Sequence, residues 1–313
     1  MVVLNKKSGF PVTISPLFND TVVNHVPPDP ELQPRDDGPD RGTFADPEMK
    51  SLLSSATRVV DLTEAIGTVL EGVQLSKLTD SQKDELALLV STRGVVFFRD
   101  QDLTTPQQVE LFHYYGTLDR HPAQPDQEYI TILGATRDFR SEAAQTPWPQ
   151  GEYHSDTYAA HSYFMMLVSN YGLYDSLSSA YKRLFEGLHS VHTSRLMYET
   201  LLFALNAKPS RAPIGDDSVR LPSSCKLLLI ERTRRTAYIA LLKAVRTHPV
   251  TGLKALNLNP GFVTGLAELH KAESDKLLDF VWQHIHSADD YTVRFKWDAN
   301  SVAMWDNRQA SMV

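Results

Sequence analysis

The chain has 313 residues, of which 42% are hydrophobic and 22% charged, and a formal net charge of -7. This composition is typical of a folded globular protein and excludes collagen-like, coiled-coil and wholly disordered chains. The net negative charge argues against a general nucleic-acid-binding protein.

Cysteine content and the length of apolar runs indicate the cellular compartment in which the protein is expected. The only cysteine is Cys225, which excludes an intrachain disulfide and a thiolate zinc site. No run reaches the roughly 18 apolar residues of a membrane span, and residues 1–20 lack the pattern of a secretory signal. We therefore expect a soluble cytoplasmic protein that binds neither nucleic acid nor membrane.

The first 50 residues differ in composition from the remainder. They form a proline-rich acidic arm with too little apolar surface to fold alone. From residue 51 to 313 the pattern is that of a globular domain. It contains an atypical basic segment at 219–244 in which six Lys or Arg residues accompany a single acid, Glu231. This segment is interpreted either as an amphipathic surface helix or as an insertion.

The elements follow from hydrophobic periodicity and capping residues. A capped helix begins at Asp80, a buried strand covers 94–99, and a helix capped by Thr105 runs to about Tyr115. Two later helices are expected at 173–188 and 274–286. The further strands are expected at 129–133, 244–247, 254–258, 291–297 and 301–305. This arrangement predicts an α+β fold built on an antiparallel sheet or barrel.

The tripeptide His154-Ser155-Asp156 carries the clearest chemical signal. In an extended segment, residues i and i+2 point to the same side, so an imidazole and a carboxylate can converge on one metal ion. These are two of the three donors of the two-His-one-carboxylate triad that holds Fe(II). Alone the pattern is weak, because a histidine hydrogen-bonded by a nearby carboxylate looks the same.

The surrounding motifs make the signal more specific. In chain order they are Gly94-Val-Val-Phe-Phe-Arg, Gly116-Thr-Leu-Asp-Arg-His-Pro, Tyr153-His-Ser-Asp, Tyr174-Asp-Ser-Leu-Ser, Arg246-Thr-His-Pro-Val-Thr-Gly, Asn259-Pro-Gly-Phe and Trp305-Asp-Asn-Arg. Over about residues 40–308 this series resembles the taurine dioxygenase family of Fe(II)- and 2-oxoglutarate-dependent oxygenases, especially its fungal sulfonate dioxygenase branch.

The resemblance implies a fold, a metal and a reaction. The fold would be a double-stranded β-helix (jelly roll) with helices packed outside, and His154 and Asp156 would be the first two ligands of Fe(II). With 2-oxoglutarate and dioxygen, such an enzyme would hydroxylate a small anionic substrate such as taurine or an alkyl sulfonate. The products would be sulfite, succinate and CO2. Relatives commonly self-associate, so a homo-oligomer is also implied.

The resemblance also assigns substrate-binding residues. His121 matches the position that binds the anionic head of the substrate, Phe262 matches an aromatic pocket wall, and Gln150 falls where a polar contact is often found. The alternatives are a solvent-facing turn histidine for His121 and a plain core residue for Phe262.

Several departures from the family pattern point to a second interpretation. Met312 stands where the family has its distal histidine ligand, and the arginine and threonine that hold 2-oxoglutarate have no counterpart. Compared with the family pattern, about a dozen residues are expected to be missing after the His-Ser-Asp motif, and the closing strands are expected to be absent. We therefore expect an incomplete jelly roll, with residues 219–243 interpreted as translated intron. The alternative function is an inactive truncated homologue or splice variant.

A replacement for the distal ligand would have to come from another histidine. Candidates are His161, His189, His192, His248, His270, His284 and His286. His284 and His286 lie two apart on a predicted helix and so face different sides. His248 lies in the Thr-His-Pro motif, where a structural role is expected.

Overall fold

The computed structural model describes residues 38–116, 118, 164–193, 239–259 and 262–312. The strand expected at 129–133 and residues 219–238 of the basic segment lie outside these ranges. Among the helices within them, none has the length and apolar character needed to cross a membrane.

One sheet joins the two ends of the described chain. Its strands are β1 (Arg58–Asp61), β2 (Thr68–Glu71), β3 (Val95–Phe98) and β11 (Val302–Trp305), in the order β1-β2-β3-β11. β2 and β3 are parallel, and the other two pairs are antiparallel. A parallel pair needs a crossover connection, and helix α2 (Asp80–Arg93) lies in the connection between β2 and β3.

The first helices begin where capping residues stand. α1 is Lys50–Ser55, and α2 begins after Thr79, which forms a capping box with Gln82. The prediction for α2 is confirmed, with Leu86, Leu89 and Val90 buried. α3 is Thr105–His113, but its N-cap is Thr104, one residue before the predicted Thr105. The reason is that Gln107 Oε1 accepts a hydrogen bond from the backbone N–H of Thr104 at 2.9 Å.

The helix predicted at 173–188 is wrong as a single element. The chain forms α4 (Asn170–Asp175) and α5 (Ser179–Glu186) instead. Ser178 adopts an extended conformation, and its hydroxyl accepts from the backbone N–H of Tyr181, so it caps a new helix rather than continuing the first. The last helix, α6 (Lys271–His286), is confirmed but begins three residues before the predicted Ser274.

The remaining strands form three smaller sheets. β4 (Phe164–Ser169) lies between β10 (Thr292–Lys296) and β12 (Ala310–Met312), antiparallel to both. β5 (His189–Thr193) lies between β6 (Ile239–Lys243) and β9 (Val263–Leu266). β7 (Val245–Thr247) and β8 (Lys254–Leu256) form an antiparallel pair. The strands predicted at 244–247, 254–258, 291–297 and 301–305 are thus confirmed within two residues.

The end of the basic segment is a strand, which corrects its interpretation as a helix there. β6 pairs along its whole length with β5, with Ala240 opposite His192 and Leu241 opposite Val191. The apolar run Ile239-Ala-Leu-Leu suits this position because it lies in a sheet and its Leu241 is buried. Residues 239–243 therefore belong to the sheet system.

Three apolar cores hold the elements together. In the first, Leu278, Val281, Trp282 and Ile285 of α6 pack with Phe185 of α5 and Leu256 of β8. The other two lie on opposite faces of β3. Phe98 belongs to a core with α2, whereas Phe97 belongs to a core with Phe295 of β10, against which its ring stacks at 3.9 Å.

Residues just before residue 50 contact the domain. Arg41 pairs with Asp84 of α2 at 2.7 Å, and its guanidinium lies over the ring of Tyr114. Asp40 pairs with Arg308 at 2.7 Å. The end of the predicted arm is therefore anchored by ion pairs.

A buried carboxylate fixes the start of α1. Glu85 is 1% exposed, and its side chain accepts hydrogen bonds from the backbone N–H groups of Leu52 and Ser51 at 2.5 and 3.4 Å. These are first-turn donors that have no partner within their own helix. Glu85 thus supplies the acceptors that α1 lacks.

Glu85→Ala is expected to lower the free energy of unfolding by about 1–3 kcal/mol, because buried backbone donors lose their acceptor. Urea denaturation measures the change. Glu110→Ala, at an exposed position of α3, is the matched control and is expected to stay within about 0.5 kcal/mol of the wild type. Equal stability of the two variants would contradict the assignment.

Candidate functional site

The structure describes only part of the predicted site. His154, Asp156, His121 and Gln150 lie outside the described residues, so their roles stay predictions. Phe262 is described, and Met312 is described as the last residue of β12, opposite Leu167 of β4.

A cavity of about 220 Å³ lies beside Phe262. Its apolar wall consists of Phe262 with Leu242, Leu256 and Leu258. Phe262 is half-buried rather than fully enclosed, so it is a wall residue rather than a plain core residue. The polar part of the lining includes Arg246, Arg308 and several asparagine side chains, and none of the described lining residues is an Asp or Glu. The cavity therefore favours an anionic group over a cation.

The turn between β11 and β12 is fixed by Asp306. Its carboxylate accepts from Nε2 of the buried His248 at 3.0 Å, and from Nε and the backbone N–H of Arg308 at 2.8 Å. Arg308 also pairs with Asp40. Burial by itself would raise the pKa of Asp306, but the hydrogen bonds from His248 and Arg308 outweigh it and hold the pKa well below its ordinary range. The Thr-His-Pro and Trp-Asp-Asn-Arg motifs are thus joined by one carboxylate.

Asp306→Asn is expected to lower the free energy of unfolding at pH 7 by about 3 kcal/mol, since His248 and Arg308 lose a buried charged partner. A depressed pKa means that the carboxylate's contribution is fully present above about pH 4 and is lost as the pH falls further. The variant should therefore show a flatter loss of stability below pH 4.

Urea denaturation between pH 2 and 7 measures both effects. Asp290→Asn, at an exposed position, controls for the loss of one negative charge at pH 7. A profile of Asp306→Asn that parallels the wild type below pH 4 would contradict the role given to Asp306.

Arg246 brings a positive charge to the cavity. It lies on β7 opposite Ala255, next to Val245, which packs in the core. Its Nη2 donates to Oδ1 of Asn257, a neutral acceptor. Burial lowers the pKa of Arg246 even though the charge of Asp306 acts in the opposite direction. The guanidinium is therefore partly desolvated, and its neighbouring carboxylate is already engaged by His248 and Arg308.

His192 contributes an uncharged ring to the same cavity. It lies on β5, and its Nε2 is 2.9 Å from Oγ of Ser190. Burial, together with the positive charge of Arg246, lowers the pKa of His192 to about 4. The imidazole is thus neutral at physiological pH.

The lowered pKa of His192 has a consequence for stability. The folded state favours the neutral ring of His192. Its contribution to the free energy of unfolding is therefore fully present above about pH 6.5 and is lost as the pH falls toward 4. The loss amounts to at most about 3 kcal/mol.

His192→Gln is expected to remove this part of the pH dependence of the free energy of unfolding. An NMR titration of the wild type should place the midpoint for protonation of the His192 ring near pH 4. A midpoint above pH 6 would contradict the buried, neutral state.

The described histidines form no metal cluster with one another or with described carboxylates. No group of three or more His, Cys, Asp or Glu residues within the described ranges could hold a metal ion. His248 binds Asp306, as expected for a structural histidine, and His189 pairs with Glu268 at 2.6 Å. His284 Nε2 lies 2.9 Å from the carbonyl oxygen of Leu173, and His286 Nδ1 contacts that of Trp282. The assignment of His154 and Asp156 to a metal, outside the described residues, stays a prediction.

Sequence reasoning missed Arg246 as a site residue although it quoted the motif that contains it. The available signal was the alternation of β7, in which Val245 faces the core and Arg246 the other side. The signal was insufficient because an arginine on a strand is usually solvated. Arg246 differs from such a solvated arginine because it lines a cavity and because the nearby Asp306 is already bound by His248 and Arg308.

Comparison with known proteins gives consistent matches. The profile for "Taurine catabolism dioxygenase TauD, TfdA family" matches residues 58–311. A Schizosaccharomyces pombe protein assigned by name to the alpha-ketoglutarate-dependent sulfonate dioxygenases is 34% identical, over 86% of this chain and 68% of its own length. The alpha-ketoglutarate-dependent dioxygenase cnsM of Penicillium expansum is 30% identical, over 86% and 76%.

The fold is also similar to solved structures. A taurine dioxygenase from Burkholderia xenovorans superposes with a TM-score of 0.57 at 25% identity, covering 83% of each chain. The family profile spans most of the domain. The chain belongs to the taurine catabolism dioxygenase TauD/TfdA family, whose members are 2-oxoglutarate-dependent oxidoreductases.

Proposed function

We propose that the chain is an Fe(II)- and 2-oxoglutarate-dependent dioxygenase that hydroxylates a small anionic substrate such as taurine or an alkyl sulfonate. Hydroxylation at the carbon that carries the sulfonate would give an unstable adduct, which releases sulfite and an aldehyde, while 2-oxoglutarate yields succinate and CO2. The observation that carries this proposal is the cavity bounded by Phe262 and Arg246, whose described lining residues include no Asp or Glu. The named sulfonate dioxygenase relative supports the substrate class.

The proposal includes the architecture and the substrate contacts. The core would be a jelly roll with α1 to α6 outside it, and the mixed helix and sheet elements and the taurine dioxygenase structure support this. His121 would bind the anionic head of the substrate, Gln150 would contribute a polar contact, and Phe262 would exclude water from the apolar part. These assignments rest on family resemblance and, for Phe262, on its position in the cavity wall.

The donors expected for iron fit the metal only in part. His154 and Asp156 supply a neutral imidazole and a carboxylate, which suit Fe(II), whereas a thioether at Met312 is a poor ligand among such donors. When bound, iron and 2-oxoglutarate would supply the oxidising chemistry. The protein would supply ligand geometry, charge pairing and exclusion of water.

Met312 also favours a second candidate function. A chain with only two of three protein ligands would bind Fe(II) weakly, and it would then be a catalytically inactive homologue that retains a small-anion pocket. The two candidates differ in one measurable property, which is formation of the iron–2-oxoglutarate chelate.

We expect Met312→His to give a saturable visible charge-transfer band on anaerobic addition of Fe(II) and 2-oxoglutarate, stronger than that of the wild type, because it restores an imidazole donor. Met49→His, which places the same residue at the start of α1, is the matched control and should leave the wild-type spectrum unchanged. Asp156→Ala in the Met312→His background should abolish the band.

A saturable band from the wild type would favour the active enzyme as the chain stands. A band only from Met312→His would favour the inactive homologue for the wild type. The absence of a band from both, in folded samples, would contradict the assignment of His154 and Asp156 to iron.

A further inference from the structure

The half-buried arginines of the described residues differ in their partners. Four of them lie between 2.5 and 3.4 Å from a carboxylate oxygen, namely Arg41, Arg93, Arg99 and Arg308. Arg246 is the exception, since no carboxylate among the described residues lies within 4 Å of it and its hydrogen-bond acceptor is the neutral amide of Asn257. A partly desolvated guanidinium without a counter-ion costs free energy. This charge therefore lacks a structural explanation.

The nearby negative charge does not neutralise Arg246. Asp306 is close enough to act on it electrostatically, but its oxygens accept from His248 and Arg308. Arg308, the other cation of the lining, is held by two carboxylates, those of Asp306 and Asp40. Among the cations of the described lining, Arg246 is thus the one whose guanidinium has no carboxylate in direct contact.

The chemistry of the lining defines what would neutralise it. A guanidinium presents N–H donors in a planar fork that matches two oxygens of one oxyanion. Ser311 and Asn307 add polar groups to the lining, and Phe262, Leu256 and Leu258 add an apolar surface. A volume of about 220 Å³ suits an anion with a short carbon chain rather than a bare halide or a macromolecule.

We propose that Arg246 is the anchor for the carboxylate or sulfonate group of a small organic anion bound in this cavity. The inference rests on the proposed function for the choice of anions, 2-oxoglutarate or a sulfonate, and extends it by naming the cation that pairs with them. It requires no metal, so it is tested on the metal-free chain.

The experiment is isothermal titration of the full-length chain, freed of metal with a chelating resin and dialysed into a low-salt buffer without phosphate, sulfate or carboxylates. One arm uses 2-oxoglutarate and the other butane-1-sulfonate, with the uncharged butane-1-sulfonamide as the control ligand. We expect one-to-one binding of at least one anion and none of the sulfonamide. The arm that binds identifies whether the cavity accepts the co-substrate or the substrate head group.

Arg246→Gln is expected to weaken that binding about 10- to 100-fold, the range for loss of a charge-assisted hydrogen-bonded pair. Arg246→Lys, which keeps the charge but loses the fork, should give a smaller loss. Arg58→Gln removes the same charge from an exposed position on β1 and should bind as the wild type does. If Arg246→Gln fails to fold, the Arg246→Lys titration decides.

The proposal is overturned if the wild type binds neither anion, if both Arg246 variants bind as the wild type does, or if the sulfonamide binds as tightly as the sulfonate. Anion binding that depends on Arg246, combined with no iron chelate band from Met312→His, would support this inference while contradicting the dioxygenase. A chelate band with anion binding indifferent to Arg246 would contradict this inference alone.

Discussion

The carboxylate of Asp306 is the interaction on which the described structure depends. It holds the side chain of His248 after β7 and the side chain of Arg308 before β12, and Arg308 in turn holds Asp40 near the start of the described chain. Three segments distant in sequence are thereby joined, by the hydrogen bond between His248 and Asp306 and by the ion pair between Arg308 and Asp40. Because the group is buried, the hydrogen bonds it accepts must all be present for the charge to be tolerated.

That engagement also shapes the candidate site. With Asp306 engaged by His248 and Arg308, the neighbouring guanidinium of Arg246 keeps its positive charge, and the buried ring of His192 is neutral. The described cavity lining thus holds a guanidinium without a contacting carboxylate, although the chain as a whole is negative. Net charge describes solubility and encounter with partners, whereas the charge of a site depends on which side chains are already paired.

Much of the fold was predictable because its signals are local. The cap at Thr79, the all-buried strand β3 and the apolar face of α6 follow from residues within one or two turns. The break between α4 and α5 was missed because a serine is tolerated inside a helix as well as favoured at its N-cap, and only the extended conformation of Ser178 decides. The strand β6 was missed because its ladder partner, β5, lies about 50 positions earlier in the chain.

The candidate site was predictable only where it coincides with a motif. Phe262 was found through Asn-Pro-Gly-Phe, and the structural role of His248 through Thr-His-Pro. Arg246 directly precedes Thr-His-Pro and was assigned no role, because its importance comes from the absence of a contacting acidic side chain among the described residues. Contacts between side chains that lie far apart along the chain cannot be predicted from a short segment of sequence.

The parallel pair β2–β3 and the late strand β11 have a consequence for how the chain folds. α2 allows β2 and β3 to pair early, but β11 joins β3 only after about 200 further residues, as the contact between Arg99 and Ser301 at a separation of 202 positions shows. During synthesis the outer edge of Val95–Phe98 thus stays open, with an apolar face on each side. Such an edge invites pairing with other chains. Until the closing strand arrives, the unfinished chain is therefore exposed to pairing with other unfinished copies.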